Sequence, residues 1–168
     1  DGNGLDLSDG LLCDNFMRVE GRPEVVACGD VAKFPNLLLD DVPRRVEHWT
    51  MVTDTAKKAG NTLGRHLTGE DPDPTPFAPI PSFWSDQYDV KIQCLGEPAA
   101  DDVVHIVEDD GRKFLAFYER DGVVTAVVGG GMLLAGSQLS VTRNLLLKLK
   151  DPGDGPDEAK RASSWFKL

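Results

Sequence analysis

Between Asp71 and Pro81 the chain places Pro72, Pro74, Pro76, Pro79 and Pro81 among acids and small residues. Proline lacks the backbone donor that a helix interior or a central strand requires, so this stretch can be neither. It reads as an extended, fairly stiff linker over 71–81, and it divides the 168-residue chain into two parts that must each find a core. A long helical pattern dominates before it and strand alternation dominates after it, which predicts an α+β chain.

In the first part, the run Val25-Val26-Ala27-Cys28-Gly29-Asp30 is apolar until it ends in a glycine and an acid. It reads as a fully buried strand carrying one carboxylate at its mouth. Such a carboxylate is costly unless hydroxyls or amides satisfy it, and Gly29 lets a ligand approach the backbone, so a polyol chain would suit both residues. An aspartate that simply opens a turn explains the same six residues equally well. Around this run, Gly10 to Asp14 suggests a small strand and Arg18 to Pro23 a polar turn. Residues 33–41 read as loop, because Pro35 and Pro43 bracket them.

From His48, the positions Val52, Thr55, Ala56, Ala59, Leu63 and Leu67 have helical spacing, and Thr68-Gly69 stops the pattern. The start of such a helix presents free amides and a partial positive charge of about half a unit, which suits an electron-rich group beside Glu47, His48 and Trp49. The plainer readings are a surface or capping role for His48, a core anchor for Trp49, and a solvated pair for Arg44 and Arg45.

Beyond the linker, Phe83, Trp84 and Tyr88 crowd together in a chain only 7% aromatic, as either a core plug or a contact surface. Val90–Gly96, Val103–Val107, Lys113–Glu119 and Val123–Val128 alternate as strands. Arg120-Asp121-Gly122 supplies a hairpin turn, so the sheet is expected to be antiparallel. Gly129-Gly130-Gly131 should break the last strand. Leu133, Leu134, Gln138, Val141, Leu145, Leu146 and Leu149 form a helical stripe expected to cover the sheet, and 151–168 reads as a mobile tail.

A net charge of -10 argues against a nucleic-acid partner. The absence of any apolar stretch of roughly 18 residues argues against a membrane span, and with no leader pattern a cytoplasmic location is expected. Cys13, Cys28 and Cys94 lack metal or redox spacing and read as free thiols in a reducing compartment. No G-x-G-x-x-G, Walker A or G-x-S-x-G is present, and His48, His66 and His105 suggest no metal site. The opening Asp1-Gly2-Asn3-Gly4, without methionine, reads as cut from something longer.

Val25 to Val31, Arg44 to Trp49 and Phe83 to Tyr88, in that order, resemble the FAD-dependent pyridine nucleotide-disulfide oxidoreductase-like ferredoxin and rubredoxin reductases, the putidaredoxin reductase and apoptosis-inducing factor group. The chain departs from that group where Thr50-Met51-Val52-Thr53-Asp54-Thr55 replaces Asn-Ala-x-x-Gln-Gly. The resemblance implies that 1–70 closes a Rossmann-like FAD domain and that 82–150 forms a small C-terminal antiparallel sheet domain covered by a helix. It implies an FAD site contributed by Gly29, Asp30, Glu47, His48, Trp49 and Trp84, with Asp30 on the ribityl chain. NAD(P)H would be the cosubstrate, a ferredoxin-like or rubredoxin-like protein the acceptor, and no side chain would be catalytic. This chain alone is then expected to be inactive and not to retain FAD firmly. The competing reading is a noncatalytic interaction or dimerisation module, with a homodimer as its simplest form.

Overall fold

The computed structural model describes residues 4–131, without the side chains of residues 107 and 108, and the chain divides into two compact units, 1–81 and 82–168. The leucine stripe expected to cover the sheet and the tail 151–168 lie outside the described residues.

The first unit contains β1 (Leu11–Leu12), β2 (Arg18–Val19), β3 (Arg22–Val26), β4 (Ala32–Pro35), β5 (Pro43–Arg45) and α1 (Trp49–Leu67). β4 runs parallel to β1 and antiparallel to β5, while β2 and β3 form a separate ribbon. Its core gathers Cys13, Met17, Val19, Ala27, Ala32, Phe34, Met51 and Ala59. The helix turns Met51, Thr55, Ala59 and Thr62 inward, spaced by three and four residues as one helical face requires. The expected stripe is therefore partly displaced. Thr55 and Ala59 are buried, whereas Val52, Ala56 and Leu67 are exposed. Apart from Met51 the inward side chains are small, so Val52, Ala56 and Leu67 do not mark the buried face.

Three local expectations fail here. The run ending at Asp30 is not a buried strand: β3 covers Arg22–Val26, Val25 is 44% exposed, and Asp30 lies exposed in a 3-10 turn at Gly29–Val31. β3 pairs with β2 alone, so it is the edge of a two-stranded ribbon rather than an interior strand. The stretch 18–23 is a turn only at its middle, because β2 and β3 flank it. Residues 32–35 are strand rather than loop, since Pro35 faces Pro43 at the ends of the β4–β5 pair, where a missing donor is tolerated.

The proline-rich segment packs on this unit. Prolines leave carbonyls without the partners a strand ladder would give, and side chains supply them instead. Asn15 donates from Nδ2 to the Phe77 carbonyl at 3.0 Å and accepts the Phe77 amide at 2.8 Å. Asn36 donates to the Pro79 carbonyl at 2.8 Å and Lys58 to the Thr75 carbonyl at 2.8 Å. The Phe77 ring sits 5.5 Å from that of Phe34.

The second unit is a five-stranded antiparallel sheet of β6 (Ser82–Gln87), β7 (Val90–Gly96), β8 (Val103–Asp109), β9 (Phe114–Arg120) and β10 (Val123–Gly130), in the order β6-β7-β10-β9-β8. Asp121 and Gly122 both take left-handed conformations (φ 53° and 81°), so the anticipated hairpin turn joins β9 to β10. Of the crowded aromatics, Phe83 and Trp84 belong to a strand the sequence did not suggest, β6, paired to β7 through Phe83 and Cys94, whereas Tyr88 lies in the turn after it and is fully exposed. The glycines do not break β10, which runs through Gly129 and Gly130. A Cβ on Gly130 would collide with the Phe114 ring, so close packing explains that glycine.

The β7–β8 connection passes β10 and β9, and Asp102 fixes it there. Its carboxylate, with a side chain 0% exposed, accepts from Arg120 Nε at 2.7 Å, Thr125 Oγ1 at 2.8 Å and the Ala99 amide at 2.9 Å. Burial opposes the charge, but the Arg120, Ala99 and Thr125 donors outweigh it and hold the carboxyl below the usual aspartate range. Asp102→Ala should destabilise the unit by about 3 kcal/mol in urea melts, because it leaves donors without a partner. The native pKa is depressed, so the stabilisation of Asp102 is present above its unfolded value of about 3.9 and disappears as pH falls through the lower folded value. The stability difference between wild type and Asp102→Ala should therefore be flat near neutral pH and shrink only below about pH 4.

Candidate functional site

The turn at Gly29–Val31 is shaped by a positive φ of 72° at Gly29, a conformation that other residues adopt with strain. A Cβ at Gly29 would lie at ordinary contact distance from Val52, 3.7 Å away, so φ is the constraint within the chain. The Gly29 amide donates to Thr55 Oγ1 at 2.9 Å, and the same hydroxyl donates to the Met51 carbonyl at 2.6 Å. Thr55 is 1% exposed. One buried hydroxyl thus fastens the turn to the first turns of α1.

On the other side, Arg45 at the end of β5 donates from one terminal nitrogen to the Asp30 carbonyl at 3.0 Å. Its other terminal nitrogen meets Glu47 Oε1 at 2.8 Å, and its Nε meets Asp9 Oδ1 at 2.9 Å. Asp9 also binds Lys33 at 2.7 Å, and the Lys33 and Arg45 donors hold its carboxyl below the usual range. Arg44 instead forms a two-pronged pair with Asp40, at 2.6 and 2.7 Å. Neither arginine is a freely solvated cation.

Gly29, Asp30, Glu47, His48 and Trp49 are therefore brought together in the first unit, by Thr55 and Arg45. His48 precedes the helix in extended geometry, and its carbonyl accepts the amides of Met51 at 2.9 Å and Val52 at 3.3 Å. No acidic residue occupies the first turn of α1, so the positive end of a 19-residue helix is left without a carboxylate of its own. Trp49 is 78% exposed there, which overturns its reading as a core anchor. The Asp30 carboxylate is exposed, and among the described residues it takes no hydrogen bond or ion pair. Trp84 belongs to the second unit, on β6, and is 48% exposed.

A free carboxylate, a helix start without an acid and a bare indole can bind hydroxyls, an electron-rich ring and an apolar plate. Thiol chemistry finds no support at Cys13 or Cys94: both are buried, and burial pushes their thiols up to about 11 and about 12. Cys28 is exposed. Among the described residues no cluster of His, Cys, Asp and Glu could hold a metal ion, and no helix is long and apolar enough to cross a membrane. Sequence reading missed Thr55 and Arg45. Thr55 sits at a helical core position, which hides a hydroxyl whose partner comes from a distant turn. Arg45 alternates along β5 and gives no sign of its reach.

Residues 82–152 match the family described as Reductase C-terminal. The probable ferredoxin reductase CtmF of Castellaniella defragrans is 33% identical over 155 residues, covering 89% of this chain and 36% of that protein. The 5,5'-dehydrodivanillate O-demethylase ferredoxin reductase subunit of a Sphingobium species is 32% identical over 127 residues, covering 75% of this chain and 27% of its own length. The crystal structure of Fdr9 superposes with a TM-score of 0.74 and 28% identity over 90% of this chain and 37% of that one. The chain spans about a third of the length of the curated relatives it matches.

Thr55→Val should cost about 1–2 kcal/mol in chemical denaturation, because it leaves the Gly29 amide without its acceptor, and Thr55→Ser should recover most of the loss. The Gly29 amide resonance should move in Thr55→Val and stay in Thr55→Ser.

Proposed function

We propose, from the premise that this chain is the C-terminal part of a ferredoxin-reductase-type FAD oxidoreductase, that its first unit completes an FAD site and that the whole enzyme passes electrons from NAD(P)H to an iron–sulfur protein. The observation that carries the reading is the unpaired, exposed Asp30 carboxylate held beside an acid-free helix start. In this reading the first unit closes a Rossmann-like FAD domain, 71–81 connects it, and 82–150 is the C-terminal domain.

Asp30 accepts hydrogen bonds from the ribityl hydroxyls, which a carboxylate free of protein partners can do without breaking an existing contact. Gly29 keeps the backbone bare at that point. The amide ends at the start of α1 stabilise negative charge on the flavin ring, with Glu47, His48 and Trp49 lying beside it. Trp49 offers aromatic surface to the ring system. When bound, FAD supplies hydride acceptance and one-electron delivery. No side chain here needs to give or take a proton. A ferredoxin-like or rubredoxin-like acceptor fits the names of the relatives. Three free cysteines suit a cytoplasmic setting.

A second reading rests on a different observation. Among the described residues β8 is an edge strand, and it leaves Val103, Val104 and Ile106 exposed, which suits self-association or docking of another protein. Light scattering after size exclusion distinguishes a dimer from a monomer, and added ferredoxin reports docking.

In the FAD-bound oxidoreductase carrying this segment, Asp30→Asn should weaken FAD retention at least about tenfold, read as released flavin fluorescence, because a charged acceptor is lost. Retention equal to wild type would remove Asp30 from the site. The 168-residue chain alone should purify without a stoichiometric flavin spectrum.

A further inference from the structure

We propose that Arg45 is the positioning residue of this site, a role that rests on the FAD reading above. Its guanidinium is a planar fork, and its three contacts each fall on a different part of the chain. The Asp30 carbonyl lies at 3.0 Å, Glu47 Oε1 at 2.8 Å and Asp9 Oδ1 at 2.9 Å. Two of those partners, Asp30 and Glu47, are residues assigned to the cofactor, and Asp9 anchors the fork through Lys33.

The geometry gives Arg45 a specific task. It leaves the Asp30 carboxylate untouched and grips only the carbonyl of that residue. The side chain stays available to ligand hydroxyls while the backbone carrying it is fixed. The Gly29 amide is held from the opposite side by Thr55 Oγ1, and the Ala32 amide closes the turn onto the Gly29 carbonyl. Arg45 and Thr55 therefore clamp the turn between β5 and α1. On the Glu47 side, the same fork fixes the residue leading into the helix start, so the spacing between the carboxylate and the helix end is set by one side chain. Lysine carries the charge but cannot reach three acceptors in one plane.

The test has two arms. In this chain, Arg45→Lys and Arg45→Gln should accelerate hydrogen exchange of the Gly29 and Ala32 amides about tenfold while α1 amides beyond Met51 keep their protection. Equal acceleration throughout the first unit would reduce Arg45 to a general stabiliser, and unchanged exchange would reduce it to a surface ion pair. Either result overturns the proposal. In the FAD-bound oxidoreductase, Arg45→Lys should weaken FAD retention and shift the flavin absorbance band. Its effect on retention should shrink in an Asp30→Asn background, since part of it acts through Asp30 and part through Glu47. Additive losses would overturn the positioning role. If Asp30→Asn itself changes nothing, the FAD reading of this site fails, and the exchange arm still decides whether Arg45 clamps the turn.

Discussion

The Thr55 hydroxyl accepts the Gly29 amide and donates to the Met51 carbonyl, and the arrangement of the first unit's site depends on that bridge. A 3-10 turn of three residues has almost no cohesion of its own, and here it follows an exposed edge strand. Without an anchor in the helix, Asp30 would be a carboxylate on a loose loop. With it, Asp30 has a defined place beside the start of α1. Burying the hydroxyl strengthens the bridge, because water cannot compete for either bond, and the same burial makes loss of either partner costly.

The second unit solves a related problem with a charge. Its connection from β7 to β8 must pass two intervening strands, and a loop of that kind gains little from apolar burial. Asp102 takes donors from β9, β10 and the loop itself, so one carboxylate replaces the hydrogen bonds a ladder would have made. In the proline-rich segment Asn15, Asn36 and Lys58 serve carbonyls in the same way. Across both units, irregular backbone is held by single polar side chains from regular elements, while the apolar clusters hold those elements together.

This division decides what could be read in the sequence. The sheet of the second unit and the β9–β10 hairpin follow from period-two alternation and from an Asp-Gly turn, both local properties. The helix over 49–67 follows from its spacing, although its buried face is marked by Met51, Thr55, Ala59 and Thr62 rather than by Val52, Ala56 and Leu67. The buried strand proposed at Val25 to Asp30 failed because an apolar run does not reveal whether it has neighbours on both edges, and β3 has one. The grouping of Gly29 and Asp30 with Glu47, His48 and Trp49 was suggested by a family resemblance. The residues that hold that group together left no local trace: Thr55, Arg45 and Asp102 each act across more than a dozen positions in the sequence.

The charge distribution bears on how so acidic a chain could serve the proposed site for an anionic, phosphate-bearing coenzyme of the FAD type. A net charge of -10 would repel such a ligand if it were spread evenly. Around the candidate site, however, Asp9 is paired with Lys33 and Arg45, Glu47 with Arg45, and Asp40 with Arg44. These pairings offset the charges of Asp9, Glu47 and Asp40, whereas Asp30 has no partner among the described residues. Exposed ion pairs of this kind contribute little to stability, about 0–1 kcal/mol each. Their consequence lies in neutralisation, because Asp9 and Glu47, the two acids that meet Arg45, each have a cation. A polyol at Asp30 and an electron-rich ring at the helix end would then meet less competing negative charge, which is the electrostatic condition the proposed role requires.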